Sequence, residues 1–114
     1  MIKEIAFVIY AVKDIARSRE FYEKTLGLKV AETFGNGWIE FDVGGVTFGI
    51  TNNFPSSGPQ ESVAFEVDDL DAEVARLKAS AVDLKGGLGD FPGCRMQLIG
   101  DPDGNTICLH QRKK

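Results

Sequence analysis

The chain repeats one pattern of residues, and this repeat restricts the possible folds more than any other property of the sequence. Residues 5–15 align with residues 60–70, so that alternating apolar positions coincide and an aspartate followed by an aliphatic residue ends both segments. The matched pairs are Val8 with Val63, Tyr10 with Phe65, Val12 with Val67, Asp14 with Asp69 and Ile15 with Leu70. Each half continues as a helix and a strand hairpin. The sequence therefore predicts an α+β fold of two β-α-β-β-β modules, about 2–51 and about 61–111.

The length and composition fit one domain in the cytoplasm. A chain of 114 residues supports one hydrophobic core but not two independent ones. We therefore expect a single domain over 1–114, with the modules linked by residues 52–59, which are rich in Asn, Ser, Pro and Gly. The sequence shows no transmembrane run and no signal-peptide pattern, which predicts a cytoplasmic protein without a membrane partner. The net charge is −4 and basic residues cluster only at 112–114, which argues against nucleic-acid binding.

Both predicted helices carry their own boundary signals. Asp14 and Asp69 are expected N-caps, because a short acidic side chain accepts hydrogen bonds from the first turn of a helix. Gly27 is expected to end the first helix. Ala81 stands where a glycine would normally end the second helix, so we expect this terminus to be strained or built differently.

The Gly44-Gly45 pair predicts the turn of the first module's hairpin. This turn pairs Phe41 with Phe48 and Trp38 with Thr51. Because side chains alternate along a strand, the face toward the core carries Ile39, Phe41, Phe48 and Ile50. The opposite face carries Trp38, Glu40, Asp42, Thr47, Gly49 and Thr51.

The segment Asp101-Pro102-Asp103-Gly104 predicts the turn of the second hairpin, because Pro suits its second position. With Gly100 paired to Asn105, the core face carries Met96, Leu98, Ile107 and Leu109. The opposite face then carries Arg95, Gln97, Ile99, Thr106, Cys108 and His110. In this register Arg95 opposes His110. Cys94 and Cys108 lie on opposite faces, which predicts two free thiols.

Six motifs occur in order along the chain. They are Val12-Lys13-Asp14, Ser18-x-x-Phe21-Tyr22, Leu26-Gly27-Leu28, Gly37-Trp38-Ile39-Glu40-Phe41, Val67-Asp68-Asp69-Leu70 and Asp101-Pro102-Asp103-Gly104-Asn105. This ordered set, which covers essentially the whole chain, resembles the vicinal-oxygen-chelate superfamily of glyoxalases, bleomycin-resistance proteins and dioxygenases. The resemblance implies that two modules form an open, barrel-like cavity for a small-molecule ligand, often in a homodimer.

The resemblance also implies where metal ligands would stand. Metalloenzymes of the superfamily carry His, Gln or Glu on the first and last strands of each module, and the corresponding positions here are Phe7, Gly49, Ser62 and Cys108. Phe and Gly offer no side-chain ligand, Ser is a poor one, and a single Cys cannot hold a divalent ion. We therefore expect no metal and no other cofactor. The alternative is a displaced metal site built from Glu40, Glu66, Cys108 and His110.

The residues expected to contact a ligand share the faces opposite the core. They are Phe7, Trp38, Glu40, Ser62, Glu66, Arg95, Gln97, Cys108 and His110. Trp38 is interpreted as a stacking platform or as a partly buried filler. Glu40 either anchors a ligand or pairs with Arg95, and Glu66 either lines the entrance or lies in solvent. His110 and Glu40 are the candidate catalytic residues, although a His without a nucleophile is more often a hydrogen-bonding residue.

Two functional hypotheses follow from these residues. The first is a non-catalytic protein that binds a small amphipathic or cationic molecule, as the antibiotic-sequestering branch of the superfamily does. The second is an enzyme of lyase, isomerase or dioxygenase type, with a displaced metal or with metal-free acid–base chemistry by His110 and Glu40. The glycine-rich segment 85–93 is either a mobile loop over the ligand or a plain connection, and Phe54 is a second candidate to close over a ligand.

Overall fold

The computed structural model describes residues 1–55 and 58–113, so Ser56 and Ser57 of the predicted linker and Lys114 of the basic tail lie outside the described residues. The chain divides into two units, Met1–Gly58 and Pro59–Lys114. In the described part of the chain, no helix has the length and apolar character needed to cross a membrane.

The first unit is one four-stranded sheet with a helix on one face. Its elements are β1 (Val8–Ala11), α1 (Ile15–Arg19), a π-helical continuation of α1 (Glu20–Thr25), β2 (Lys29–Phe34), β3 (Trp38–Val43) and β4 (Val46–Thr51). The strand order is β1-β4-β3-β2. β1 runs parallel to β4, and the other neighbours are antiparallel.

The second unit repeats this architecture strand for strand. Its elements are β5 (Val63–Glu66), α2 (Leu70–Ala79), β6 (Asp83–Asp90), β7 (Cys94–Gly100) and β8 (Thr106–Arg112). The strand order is β5-β8-β7-β6, with β5 parallel to β8. The predicted α+β fold of two β-α-β-β-β modules is therefore confirmed.

The predicted helix boundaries agree with the structure at three positions. The Asp14 carboxylate accepts a hydrogen bond from the Arg17 backbone N–H, and the Asp69 carboxylate accepts one from the Ala72 backbone N–H, each at 3.1 Å. Gly27 ends the first helix at a φ of +76°. Ala81 follows α2 at a φ of +59° and is the only non-glycine residue with positive φ in the described ranges. The expected strain at this terminus is therefore present, whereas the π-helical turn of the first helix was not predicted.

The register of the first hairpin is confirmed residue by residue. Phe41 lies opposite Phe48 and Trp38 opposite Thr51. The turn forms because Gly44 and Gly45 both adopt positive φ, as a two-residue hairpin turn of this kind requires. The predicted core residues Ile39, Phe41, Phe48 and Ile50 are all buried.

The register predicted for the second hairpin is wrong by one residue. Gly100 pairs with Thr106 rather than with Asn105. The Asp101 carboxylate accepts hydrogen bonds from the backbone N–H groups of Asp103 and Asn105, and its backbone N–H donates to the carbonyl of Asn105. Asp101 and Asn105 therefore both belong to the closed turn, and the strand pairing begins one residue later.

A shift of one residue exchanges the two faces of a strand, and here it exchanges those of β7. Ile107 and Leu109 are buried as predicted, but the β7 residues beside them are Ile99 and Gln97. Met96 and Leu98, predicted to lie in the core, face the other way, and the Leu98 side chain is 39% exposed.

The two cysteines are free, although the reason given from the sequence is wrong. Cys94 and Cys108 share one face of the hairpin rather than lying on opposite faces. Cys108 lies opposite Leu98, and Cys94 lies four residues further along β7. That spacing is about 13 Å along a strand, beyond the reach of a disulfide.

Candidate functional site

Three aromatic rings meet on the face of the first sheet that points away from α1. The Trp38 ring centroid lies 5.6 Å from that of Phe7 and 6.0 Å from that of Phe54, and both contacts are edge-to-face. Phe7 is 42% exposed and Phe54 is 55% exposed. We call Phe7, Trp38 and Phe54 the aromatic cluster. Rings that contact one another yet remain this accessible form the kind of patch that commonly binds a ligand.

A carboxylate is held beside the aromatic cluster. The Trp38 indole N–H donates a 2.9 Å hydrogen bond to Glu40 Oε2, which fixes the orientation of both side chains. Glu32 lies directly opposite Glu40 on β2. Two acidic residues therefore share this face with the aromatic rings, an arrangement suited to a cation with an apolar body.

Phe34 extends the apolar surface beyond the predicted residues. It lies opposite Trp38 on the neighbouring strand and is 56% exposed. The sequence signal for it is the short Gly35-Asn36-Gly37 connection, which places the residues on either side of it opposite each other.

The corresponding face of the second sheet carries a histidine oriented by a carboxylate. His110 Nδ1 lies 2.6 Å from Glu66 Oε1, and the Arg112 backbone N–H donates to Glu66 Oε2 at 2.7 Å. The backbone hydrogen bond from Arg112 and the side-chain hydrogen bond with His110 lower the pKa of Glu66. The structure therefore assigns Glu66 a partner that the sequence did not predict.

Two sulfur atoms lie next to this pair on the same face. Cys108 Sγ is 3.8 Å from Met96 Sδ, and Met96 lies directly opposite His110. Burial raises the pKa of the Cys108 thiol, and the Cys94 thiol adds to the rise. Met96 was missed as a site residue because the predicted register placed it in the core.

Arg95 and Gln97 do not lie on this face, so the reasoning that assigned them to the site is wrong. The Arg95 guanidinium reaches the Asp71 carboxylate on α2 through two hydrogen bonds of 2.9 and 3.1 Å. The partner of Arg95 is therefore Asp71, and not Glu40 or His110 as predicted. Ile99, predicted to lie on the face opposite the core, is likewise a core residue.

Gln97 is buried within the second sheet. Its amide donates 3.0 Å hydrogen bonds to the carbonyls of Gly86 and Leu98. It supports β6, the strand formed by most of the glycine-rich segment 85–93. Residues 85–90 lie in β6, which pairs with β7 at Lys85, Gly89 and Asp90 across a register irregularity between Lys85 and Gly89. They form neither of the two loops expected from the sequence.

The residues at the superfamily's metal positions do not fit a divalent ion. A Cβ atom at Gly49 would lie 2.9 Å from Ile9 Cδ1 and 3.1 Å from the Ile39 carbonyl oxygen, so no ligand side chain has room there. Phe7 takes part in the aromatic cluster, and Ser62 is an exposed residue just before β5. Within residues 1–55 and 58–113, no three side chains of His, Cys, Asp or Glu lie close enough together to hold a metal. No catalytic step through a divalent ion follows from this arrangement.

A groove of about 400 Å³ lies elsewhere on the first unit. It is lined by Ile15, Ala16, Arg19, Thr33, Gly35, Asn36 and Ile39. None of the residues predicted to contact a ligand lines it.

The chain consists of two β-α-β-β-β units with the same strand order. In each unit the candidate site residues lie on the face of the sheet away from the helix. This architecture defines a class of proteins built from two paired modules. The chain belongs to the glyoxalase/bleomycin resistance protein/dioxygenase superfamily, because the sequence model of that family matches residues 4–109. The resemblance inferred from the motifs is thereby confirmed.

The chain is similar in sequence to two bacterial proteins, of which one is uncharacterized and one is described as an enzyme. The uncharacterized protein YwbC of Bacillus subtilis (strain 168) is 32% identical, over 98% of this chain and all of that protein. The metallothiol transferase FosB of Staphylococcus epidermidis is also 32% identical, over 96% of this chain and 84% of that enzyme.

Solved structures show the same fold. TnmS3, an antibiotic binding protein from Streptomyces sp. CB03234, superposes with a TM-score of 0.84 at 27% identity, with 98% of each chain covered. A lactoylglutathione lyase from Agrobacterium tumefaciens superposes with a TM-score of 0.80 at 19% identity, over 97% of this chain and 95% of that chain.

Proposed function

We propose that the protein binds a small, planar, amphipathic cation at the aromatic cluster and sequesters it without a divalent metal. The observation that carries the proposal is the accessible set of Phe7, Trp38 and Phe54 rings with Glu40 hydrogen-bonded to the indole. Aromatic faces attract cations, and large rigid rings supply contact area at little entropic cost.

Charge supports a cationic ligand rather than an anionic one. Glu32 and Glu40 lie opposite each other on the same face, and the chain carries a net charge of −4. A cation placed between these carboxylates would relieve their mutual repulsion. The same negative charges would repel an anion.

The similarity to TnmS3 supports binding in place of catalysis. That protein is described as antibiotic binding, and it matches this chain along nearly its whole length. The ligand class proposed here is therefore an aromatic, basic, antibiotic-like molecule. We further propose that the chain acts as one domain in the cytoplasm and assembles as a homodimer.

The proposal predicts that binding depends on Trp38. A thermal-shift screen of planar aromatic cations would identify a ligand, because ligand binding to the folded state raises the unfolding temperature. Trp38→Ala should then weaken the affinity measured by calorimetry about tenfold or more, roughly 1–3 kcal/mol.

Phe91→Ala is the matched control, because Phe91 is an exposed aromatic ring of the second unit, outside the aromatic cluster. It should leave the affinity unchanged. Equal losses in the two variants, or no loss in Trp38→Ala, would contradict the proposed site.

A metal-free enzyme is the second candidate, and the His110–Glu66 pair favours it. A carboxylate that orients an imidazole is a common arrangement for a general base. The similarity to the metallothiol transferase FosB points to reactions of thiols. Turnover of hemithioacetals that is unaffected by a chelator and abolished in His110→Gln would support catalysis in place of sequestration.

A further inference from the structure

Three side chains whose donor atoms are of soft or intermediate character lie on the face of the second sheet away from α2. Cys108 Sγ and Met96 Sδ are 3.8 Å apart. His110 lies directly opposite Met96 on the neighbouring strand and two residues from Cys108 on the same face. Side chains opposite each other in an antiparallel pair have Cβ atoms about 5 Å apart. The three side chains can therefore reach one point.

The histidine is already arranged as a metal ligand. Glu66 accepts the Arg112 backbone N–H through one oxygen and holds His110 Nδ1 at 2.6 Å through the other. A carboxylate can only accept a hydrogen bond, so Nδ1 carries the proton and Nε2 keeps its lone pair. Nε2 has no hydrogen-bond partner in the described part of the chain. Metal-binding histidines typically use one ring nitrogen as ligand while the other donates to a carboxylate.

The donor set and its spacing select a particular kind of ion. Thiolate and thioether together select soft cations such as Cu(I), whereas divalent ions of harder character prefer oxygen and nitrogen. Two sulfurs 3.8 Å apart and each about 2.3 Å from one ion would subtend an angle of about 110° at it. That angle lies close to those of tetrahedral and trigonal coordination.

We propose that Met96, Cys108 and His110 form a binding site for one Cu(I) ion. Binding replaces the Cys108 thiol proton, which passes to solvent, by a copper–sulfur bond, and copper remains Cu(I) throughout. The thiolate and the monovalent ion together carry no net charge, so the site tolerates the nearby Arg112, whose charge acts on Glu66. The site shares only Cys108 with the four metal positions of the superfamily, and none of its residues belongs to the aromatic cluster.

Competition with a chromophoric Cu(I) chelator, under reducing and oxygen-free conditions, tests the site on the full chain. One equivalent should bind. Cys108→Ser should weaken Cu(I) binding by more than about 100-fold, and Met96→Leu and His110→Gln by about tenfold or more. Glu66→Gln, a change in a positioning residue, should weaken it by about tenfold.

Cys94→Ser is the matched control, because Cys94 lies on the same face of the sheet as Cys108 but on the neighbouring strand, opposite Arg112. Its Cu(I) affinity should stay within about twofold of the original protein. An equal loss in Cys94→Ser and Cys108→Ser, or no loss in Met96→Leu and His110→Gln, would overturn the proposal.

X-ray absorption of the copper-loaded protein provides a reading that does not depend on a variant folding correctly. We expect two sulfur neighbours and one nitrogen neighbour of copper. A shell of sulfur alone would overturn the proposal, since it would mean that His110 does not bind the ion.

Discussion

Ala81 is a residue at which the sequence anticipates local strain. The backbone N–H of Val82 donates to the Leu77 carbonyl at 3.1 Å, which closes the end of α2 and requires positive φ at Ala81. For a residue with a Cβ this conformation costs about 1–2 kcal/mol. A glycine would avoid that cost but would lose about 0.5–1 kcal/mol of conformational entropy on folding.

Ala81→Gly should therefore raise the free energy of unfolding by about 0.5 kcal/mol. The exposed Ala81 side chain loses little packing when it is removed. Denaturant unfolding provides the measurement. Ala75→Gly, an exposed position inside α2, is the control and should lower the free energy of unfolding by about 1 kcal/mol. Similar losses in both variants would show that Ala81 is unstrained.

The two hairpins differ in how well their registers could be predicted from the sequence. The first register was predictable because Gly44 and Gly45 permit essentially one turn, and the apolar alternation of Phe41 and Phe48 agrees with it. The second was not, because the turn is closed by the Asp101 side chain together with Asn105. When a side chain accepts hydrogen bonds from the backbone, it can lengthen a turn by one residue. The Asp-Pro-Asp-Gly pattern alone does not show this.

The error of one residue explains which site residues were found and which were missed. Phe7, Trp38 and Glu40 belong to the first unit, where the register was correct, and the structure brings them together. Cys108 and His110 lie on β8, whose faces were assigned correctly. On β7 the shift put Gln97 in place of Met96. The Glu66–His110 contact depends on the parallel pairing of β5 with β8. These strands lie far apart in the sequence, so the contact could not be predicted from it.

Glu66 joins β5 to β8, and this contact should make the second unit sensitive to acid. The hydrogen bonds to Arg112 and His110 hold the pKa of Glu66 below its ordinary value of 4.5. A lowered folded-state pKa contributes stability that is fully present above the ordinary value. This contribution is lost as the pH falls through the folded-state pKa.

Unfolding by denaturant, measured from about pH 6 down to about pH 3, should show Glu66→Gln less stable than the original protein at the upper end. The difference should shrink as the pH falls. Glu61→Gln changes another exposed carboxyl just before the same strand, outside this contact, and should leave the free energy of unfolding close to that of the original protein. A constant difference between Glu66→Gln and the original protein would contradict the contact.

The proposed homodimer concerns the edge strands of the two sheets. β1 and β2 are the edges of the first sheet, and β5 and β6 those of the second. Unpaired edges invite association unless they are covered. We expect light scattering at micromolar concentration to give the mass of two chains, about 25 kDa from a chain of 12.4 kDa. A single-chain mass would remove the dimer without affecting ligand binding.

The most direct test of metal-independent binding at the aromatic cluster uses Trp38, the only tryptophan of the chain. Its emission should change in a saturable way when the planar aromatic cation found by screening is titrated, because the ligand would stack beside the indole. We predict the same dissociation constant from emission and from calorimetry, unchanged by a divalent-metal chelator. Calorimetric binding that leaves the emission unchanged, or binding that the chelator abolishes, would contradict this account.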